Sequence, residues 1–527
     1  MSIEDELSRP SAFGVPTKRV DLVQTHIASV FVLDRDVFKI KRPVELGFLD
    51  FRSIESRKAA CDAEVRLNAR LAPGVYAGVA AVRRGEDGRC RIGGDGEVVD
   101  WAVHMRRMPD EQRADVLLER GELSGAKIDA LAERIAAFHA QARCDAETSS
   151  FGRSEVIVGN VDENFAQTRD TIETLVRPEE ADEIIRWQTS FIHGHEALFA
   201  DRIAKGRVRD GHGDLRLEHV YFEGDVPSTI LDCIEFSDRF RFADVCADVA
   251  FLSMDLAGHR RVDLAERFLA RYARAANDFD LYALVDFYES YRAFVRAKVC
   301  AMRLTDPLAD EATRERARVE ARRHFLLALS MDRRPLLLPA LVAVGGIIAS
   351  GKSTIAERIG AEIGAPVIDA DRTRKAMWGV AATQPVRERA WQGAYDPAFT
   401  DKVYEEVLRR AGVVLASGRP VVLDASFRSP AMRRAARDLA GALSVPFRFV
   451  ECRAPVDTCR ARLAERAKHS GVSDGRLEIF DDFCAKFEPP HELPEYERVA
   501  VDTSRAIDES VSALRMRLDT WPTGLAG

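Results

Sequence analysis

The run Gly346-Ile-Ile-Ala-Ser-Gly351-Lys352-Ser353 carries two glycines, a lysine and a hydroxyl at the spacing G-x-x-x-x-G-K-[ST]. Glycines let the backbone curl so that successive N–H groups face a phosphate at the positive end of the following helix. Gly346, Ser350, Gly351 and Thr354 are expected in that cradle. Lys352 is expected on the β- and γ-phosphates of ATP, and Ser353 on Mg2+. Context supports the match, because the strand pattern "LVAVG" precedes it and the helical pattern "STIAERIGAEIG" follows.

A phosphate cradle leaves open whether the γ-phosphate goes to water, to a protein or to a small hydroxyl. The strand-like "APVID" ends at Asp369 and Asp371, and Asp371-x-x-Arg374 would bring a carboxylate and a guanidinium to the carboxyl edge of a sheet. There Asp371 can accept a proton from a hydroxyl and Arg374 can clamp the acceptor or the phosphoryl group. A helix-capping aspartate with a solvated arginine is the structural alternative. Asp424, closing "VVLD", is placed to reach Mg2+ through water. Arg462, Arg466 and Arg476 fall in "CRARLAERAKHSGVSDGRL", either a lid over ATP or a solvated basic helix face.

A second constellation lies upstream in "GHGDLRLEHVYF", residues 211–222. Phosphoryl transfer needs an aspartate on the attacking hydroxyl, a second on the metal and a lysine on the nucleotide phosphates. Asp214 fits the first role, Asp232 at the end of "STILD" the second and Lys41 in "VFKIK" the third, with Glu64 as a partner for Lys41. Met105 in "AVHMRRMP" suits a connector whose backbone meets adenine. Tyr288, Arg292 and Arg296 share one helical face by i, i+4 spacing. A solvated or inter-domain face is preferred for them over an anionic acceptor pocket.

These residues need elements to hold them. Strand-like alternation in "SVFVLDRDVFKIKRPV" is followed by a helical pattern in "SIESRKAACDAEVRLNARLA" and by glycine-punctuated β-type runs to about Pro109. Helical patterns then dominate, "AKIDALAERIAAFHAQA" being the clearest amphipathic one. At "MDRRPLLLPALVAVGG" the texture changes, and beyond it strands and helices alternate in the βαβ grammar of a parallel sheet. The boundary is expected there.

At 527 residues the chain exceeds what one hydrophobic core serves. A formal net charge of -8 excludes a surface basic throughout, so any polyanion binding must be local. Nine cysteines lie scattered without metal-ligand spacing and read as buried thiols in a reducing compartment. The polar, acidic start lacks the features of a signal peptide and no apolar run reaches membrane-spanning length, so a cytoplasmic protein with no membrane partner is expected.

The segments "GGIIASGKST", "DADRTRK", "VVLDASFRSPAMRR" and "RLAER" resemble the P-loop kinases that include polynucleotide 5′-hydroxyl kinases, zeta-toxin-type sugar-nucleotide kinases and gluconate-type kinases. In the polynucleotide branch an Asp-x-x-Arg supplies base and phosphate clamp, which maps onto Asp371 and Arg374. Residues 20–330, through "HGDLRLEHVYF", "ILDCIEF" and "DVCADVAFLSMDL", resemble the aminoglycoside and choline phosphotransferase superfamily, with Asp248 as its structural aspartate. His219 stands where that family carries a metal-binding asparagine, and imidazole suits softer metals than Mg2+. Glu218 or water then takes the asparagine's place, or one metal suffices, or the domain binds without catalysing.

Two domains are therefore expected: an N-terminal α+β protein-kinase-like (aminoglycoside phosphotransferase-like) fold over 1–332 and a C-terminal α/β P-loop kinase with a parallel sheet over 338–527. The expected function is ATP- and Mg2+-dependent transfer of the γ-phosphate to a hydroxyl of a small sugar-like or aminoglycoside-like metabolite. One alternative is a polynucleotide 5′-hydroxyl kinase with single-stranded nucleic acid as partner and an idle or regulatory N-terminal domain. Another is a nucleotide-hydrolysing switch.

Overall fold

The computed structural model describes residues 2–518 except 26, 47–48, 307–308, 330–337, 387–390 and 469–471. The expected boundary at 332–338 falls largely outside the described residues. The chain divides into two compact units: unit 1 is 1–260 with 285–331, and unit 2 is 261–284 with 332–527. Residues 261–284, expected from the sequence in the first domain, thus pack with the second. Among the described residues no helix is long and apolar enough to cross a membrane. All nine cysteines are free; six are buried as expected, whereas Cys300 and Cys484 are half-buried and Cys144 is exposed.

After a short helix (Ile3–Leu7), unit 1 has six antiparallel strands: β1 (Asp21–Gln24), β2 (Ala28–Val32), β3 (Asp36–Lys41), β4 (Tyr76–Arg84), β5 (Cys90–Ile92) and β6 (Glu97–Arg106). Their order is β1-β2-β3-β6-β4-β5. Because side chains alternate along a strand, β3 buries Phe38 and Ile40 in the apolar core on one face and presents Lys39 and Lys41 together on the other. Between β3 and β4 runs the helix Ile54–Asn68, capped by Ser53 Oγ, which accepts from Ser56 N at 3.0 Å. That helix buries Cys61, Glu64 and Leu67.

The rest of unit 1 is mainly helical. Its core packs Phe251, Phe294 and Phe325 from the helices Val245–Gly258, Val285–Met302 and Glu311–Leu329. The rings of Phe294 and Phe325 meet edge-on at 5.1 Å. Two short strand pairs frame the segment between them: β7 (Val208–Asp210) with β10 (Phe242–Asp244), and β8 (Val220–Glu223) with β9 (Val226–Ile230).

Unit 2 is a five-stranded parallel sheet: β11 (Leu341–Gly345), β12 (Val367–Asp369), β13 (Val421–Asp424), β14 (Phe447–Arg453) and β15 (Arg498–Asp502), ordered β12-β13-β11-β14-β15. The central β11 is buried at all five positions, as its continuous apolar run requires of a strand covered on both faces. Gly345 is needed because a Cβ there would lie 2.5 Å from the Phe449 ring. The helix Val262–Ala275 and the turn that follows it join this unit through Glu266–Arg419 (2.8 Å), Arg274–Glu357 (2.8 Å) and Asp280–Arg409 (2.8 Å).

Candidate functional site

In unit 2 the cradle sits between β11 and the helix Lys352–Ile363. Gly346 has φ +145° and a Cβ on it would come within 2.5 Å of Cys452 O, so only glycine fits there. Gly351 has φ +88°, and Ala349 is also left-handed at +60°. Lys352 Nζ donates to Ile347 O at 2.8 Å, folded over the loop it would release for phosphate. Ser350 is fully buried with no partner for its hydroxyl among the described residues, consistent with a loop built to take a polar ligand. Ser353 hydrogen-bonds Asp424, and this pair of oxygen donors beside Lys352 suits Mg2+.

One cavity gathers Gly351, Lys352, Ser353, Asp371, Arg374 and Asp424 at the carboxyl edge of the sheet. Arg466 also lines it, whereas Gly346, Ser350 and Thr354 do not. Arg462 is outside as well: it donates to Ala349 O (3.2 Å) and Thr503 O (2.5 Å), bracing the cradle from behind.

The helix cap is Asp369, which accepts from Arg372 N at 2.9 Å, so Asp371 is left half-buried on the cavity wall. Arg374 is buried and committed, donating to Ala394 O (2.5 Å) and Thr400 Oγ1 (3.1 Å) over the Tyr395 ring. Burial first, then the neighbouring Asp424 and Asp371, push the Asp369 carboxyl up to about 7. Burial likewise raises Asp424.

Several cavity residues have no role in the sequence expectations. Arg428 lies over the Trp391 ring at 4.4 Å with no ion pair among the described residues, and burial lowers its basicity. Trp391 stacks on Phe483 at 4.5 Å. Asp474 accepts from Tyr395 Oη (2.9 Å) and pairs with Lys375 (3.2 Å). Arg274, from the helix that joins this unit, contributes positive charge toward Asp369 and Asp424.

In unit 1 a cavity of about 900 Å³ is lined by Lys39, Glu64, Met105, Asp214, His219 and Asp232 among others. The loop bearing Asp214 is fixed by Asp248, which accepts from His212 N (2.6 Å) and Gly213 N (2.8 Å). A Cβ on Gly211 would fall 2.4 Å from Asp248 Oδ2, and Gly213 has φ +85°, which explains both glycines. The structural role expected for Asp248 is what its contacts perform.

The lysine expectation needs correcting. Lys41 is buried and does not line the cavity; it is held between Glu64 Oε2 (2.5 Å) and Glu235. Lys39 lines the cavity instead, bridging Asp232 Oδ1 (2.6 Å) and Glu64 Oε1 (3.0 Å). Both lysines sit on the same strand face, and Glu235 captures the inner one. "VFKIK" carried the signal for Lys39 as plainly as for Lys41. Asp232 has φ +62°, a left-handed turn at the end of its strand. Burial works against its charge, but Lys39 and His219 hold it well below the usual carboxylate range.

Asp214 is not free. Arg216, two residues on, grips both its oxygens at 2.9 Å and also bonds Glu218. Burial opposes the Asp214 charge, yet Arg216 keeps its carboxyl well below the ordinary range. His219 Nδ1 donates to Asp214 O at 2.8 Å, which fixes the proton on Nδ1 and leaves the Nε2 lone pair toward Asp232 Oδ2 (3.7 Å) and Arg216 (3.3 Å). Asp214, His219 and Asp232 offer donor atoms within 4.8 Å of one another. Two carboxylates and an imidazole fit a divalent cation, with Mn2+ matching the nitrogen better than Mg2+ does.

A protein-family model described as "AAA domain" matches residues 341–490, the cradle-bearing part of unit 2. Solved structures with likeness to parts of the chain include a gluconokinase from Sinorhizobium meliloti (24% identical, 34% of this chain and 95% of that one, TM-score 0.25). A sugar kinase from Janibacter covers 36% of this chain and 99% of its own (17% identical, TM-score 0.27). The GDP and kanamycin complex of APH(2")-IIia covers 59% and 94% (14% identical, TM-score 0.35). Over 470 residues the chain is 36% identical to uncharacterized proteins of Mycobacterium tuberculosis and Mycobacterium bovis, an alignment spanning 89% of this chain and 90% of each relative. With both units inside that alignment, the chain belongs to the family of these mycobacterial proteins.

Proposed function

We propose that the protein is an ATP-dependent phosphotransferase with two nucleotide sites, in which unit 2 moves the γ-phosphate of ATP to the hydroxyl of a small metabolite. The observation that carries this reading is one cavity at the sheet's carboxyl edge holding Lys352, Ser353, Asp424 and Asp371 together. Lys352 leaves Ile347 O for the phosphates. Asp371, half-buried and without a capping duty, takes the proton of the acceptor hydroxyl as its oxygen bonds to the γ-phosphorus and ADP leaves. Arg374, anchored by Ala394 and Thr400, shapes the acceptor wall, and Arg428 and Arg466 are the lining guanidiniums left to meet transferred charge. Ser353 and Asp424 would hold Mg2+, which supplies charge neutralisation at the phosphates.

In unit 1, Lys39 takes the phosphate role and Asp214 the base role. Both Asp214 oxygens are occupied by Arg216, so proton acceptance requires Arg216 to turn to another anion. Asp371→Asn tests the unit 2 assignment: transfer from labelled ATP should fall about 10²- to 10⁴-fold, the usual worth of a general base, with nucleotide affinity unchanged. Transfer at the wild-type rate would remove Asp371 from the mechanism.

A further inference from the structure

We propose that the wall of the unit 1 cavity formed by Arg292, Arg296, Arg303 and Arg316 is a subsite for an anionic, hydroxyl-bearing metabolite, a phosphorylated or carboxylated polyol, rather than for a polycationic amine. This rests on the reading of unit 1 as a nucleotide-dependent transfer site. The sequence spacing favours a solvated or inter-domain face for Arg292 and Arg296 over an anionic pocket. The structure turns that face into the cavity: both line it, as do Arg303 just past the end of the helix and Arg316 on the helix Glu311–Leu329. Positions 292 and 296, one turn apart on the helix, share one face of it.

The charge balance of the cavity is uneven. At its catalytic end every carboxylate has a cation: Glu64 and Asp232 have Lys39, Glu235 has Lys41, and Asp214 and Glu218 have Arg216. The arginine wall is balanced only at a distance: Arg296 helps lower Asp214 and Glu218, Arg292 helps lower Asp248 and Arg316 helps lower Asp310, none of them through an ion pair among the described residues. Arg292 is buried to 5% exposure, spends Nε on Ala247 O (3.1 Å) and lies over Phe251 (4.9 Å), with no carboxylate partner among the described residues. Arg296, half-buried, and Arg303 have no side-chain hydrogen bond or ion pair among the described residues, and Arg316 has only Thr313 Oγ1 (3.0 Å). Glu320, the acid on this wall, faces Arg323 and His324 of its own helix.

Guanidiniums converging on one cavity wall repel one another, and the buried Arg292 and half-buried Arg296 also lose hydration, which an anion relieves and a polyamine aggravates. Guanidinium forks match phosphate and carboxylate oxygens in pairs. Such a ligand, with its anionic group on the arginines, directs a hydroxyl toward Asp214 across the same cavity.

The test uses the full-length protein carrying Lys352→Ala, saturated with a non-hydrolysable ATP analogue, and calorimetric titration of glucose 6-phosphate, gluconate, neutral glucose and kanamycin. At least one of the two anions should bind about tenfold or more tighter than glucose, and added salt should weaken it. Arg296→Gln with Arg303→Gln should abolish that advantage, Arg296→Lys with Arg303→Lys should keep part of it, and kanamycin should bind no better than glucose. Arg303→Gln with Arg316→Gln, both exposed positions, repeats the test without touching a packed side chain. Glucose binding as tightly as both anions, kanamycin binding tighter than either, or anion affinity indifferent to the glutamine variants would overturn the subsite. If Lys39→Met leaves analogue binding unchanged, the parent reading of unit 1 fails instead, whatever the anions do.

Discussion

Lys39 and Lys41 stand on one face of β3 with different duties, and substitution separates them. Lys41→Met leaves Glu64 and Glu235 buried with Lys39 alone to neutralise them, and Lys39 is already shared with Asp232. Breaking a buried pair by removing one partner costs about 3–5 kcal/mol. The retained Lys39–Glu64 contact and the apolar methionine argue for the lower end, about 3 kcal/mol, or roughly a hundredfold in the opening equilibrium. Lys39→Met should cost less, about 1–2 kcal/mol, because Asp232 has a side chain 44% exposed and regains water. It removes the ammonium that faces the cavity, so nucleotide binding to unit 1 should suffer most there. Amide exchange over β3 and the helix Ile54–Asn68 reads the stability, and fluorescent-nucleotide titration in a Lys352→Ala background reads the binding. A Lys41→Met protein with native exchange and lost nucleotide binding, beside a Lys39→Met protein that binds normally, would return the phosphate role to Lys41.

Two further outcomes follow from buried groups. Burial lowers the Lys298 ammonium to about 8, where Asn164 and Gln167 accept from it at 2.6 and 2.9 Å. A depressed lysine binds its proton less in the folded state than in the unfolded one, so it costs stability fully below about 8 and the cost fades as pH rises toward the ordinary lysine value. Denaturant unfolding should therefore show wild-type stability rising between pH 8 and about 10.5 relative to Lys298→Met; a constant difference across that range would refute it. His219→Asn replaces the nitrogen donor by an amide oxygen, and should weaken Mn2+ relative to Mg2+ by about tenfold in competition followed by electron paramagnetic resonance. An unchanged Mn2+/Mg2+ ratio would take His219 out of the metal site.

Unit 2 was legible because its signals are local: an apolar run into a glycine turn, a lysine, a helix, then strands ending in acids. What escaped depends on distant partners. The helix Val262–Ala275 reads like its neighbours, and only pairs such as Glu266–Arg419 assign it to unit 2. Period-two alternation put Lys39 and Lys41 on one face but could not say that Glu235 would claim the inner lysine. Asp371-x-x-Arg374 gave the right helix, while Ala394 and Thr400, which tie Arg374 down, lie in a segment without a motif. Trp391 was invisible for the same reason, and Arg428, though inside "VVLDASFRSPAMRR", carried no signal of its role there. The sequence places His219 where the resembled family has asparagine but cannot give the ring's orientation; its Nδ1 bond to the Asp214 carbonyl orients the imidazole as metal-bound histidines are oriented.

The central claim is that one chain carries two separable phosphotransfer sites. Transfer from γ-labelled ATP, screened over sugars, sugar acids, sugar phosphates and 5′-hydroxyl oligonucleotides, should be split by substitution. Lys352→Ala should remove one set of labelled products, Asp214→Asn the other, and the double variant should make neither. A double variant that labels the same acceptors as fast as the wild type would contradict the account.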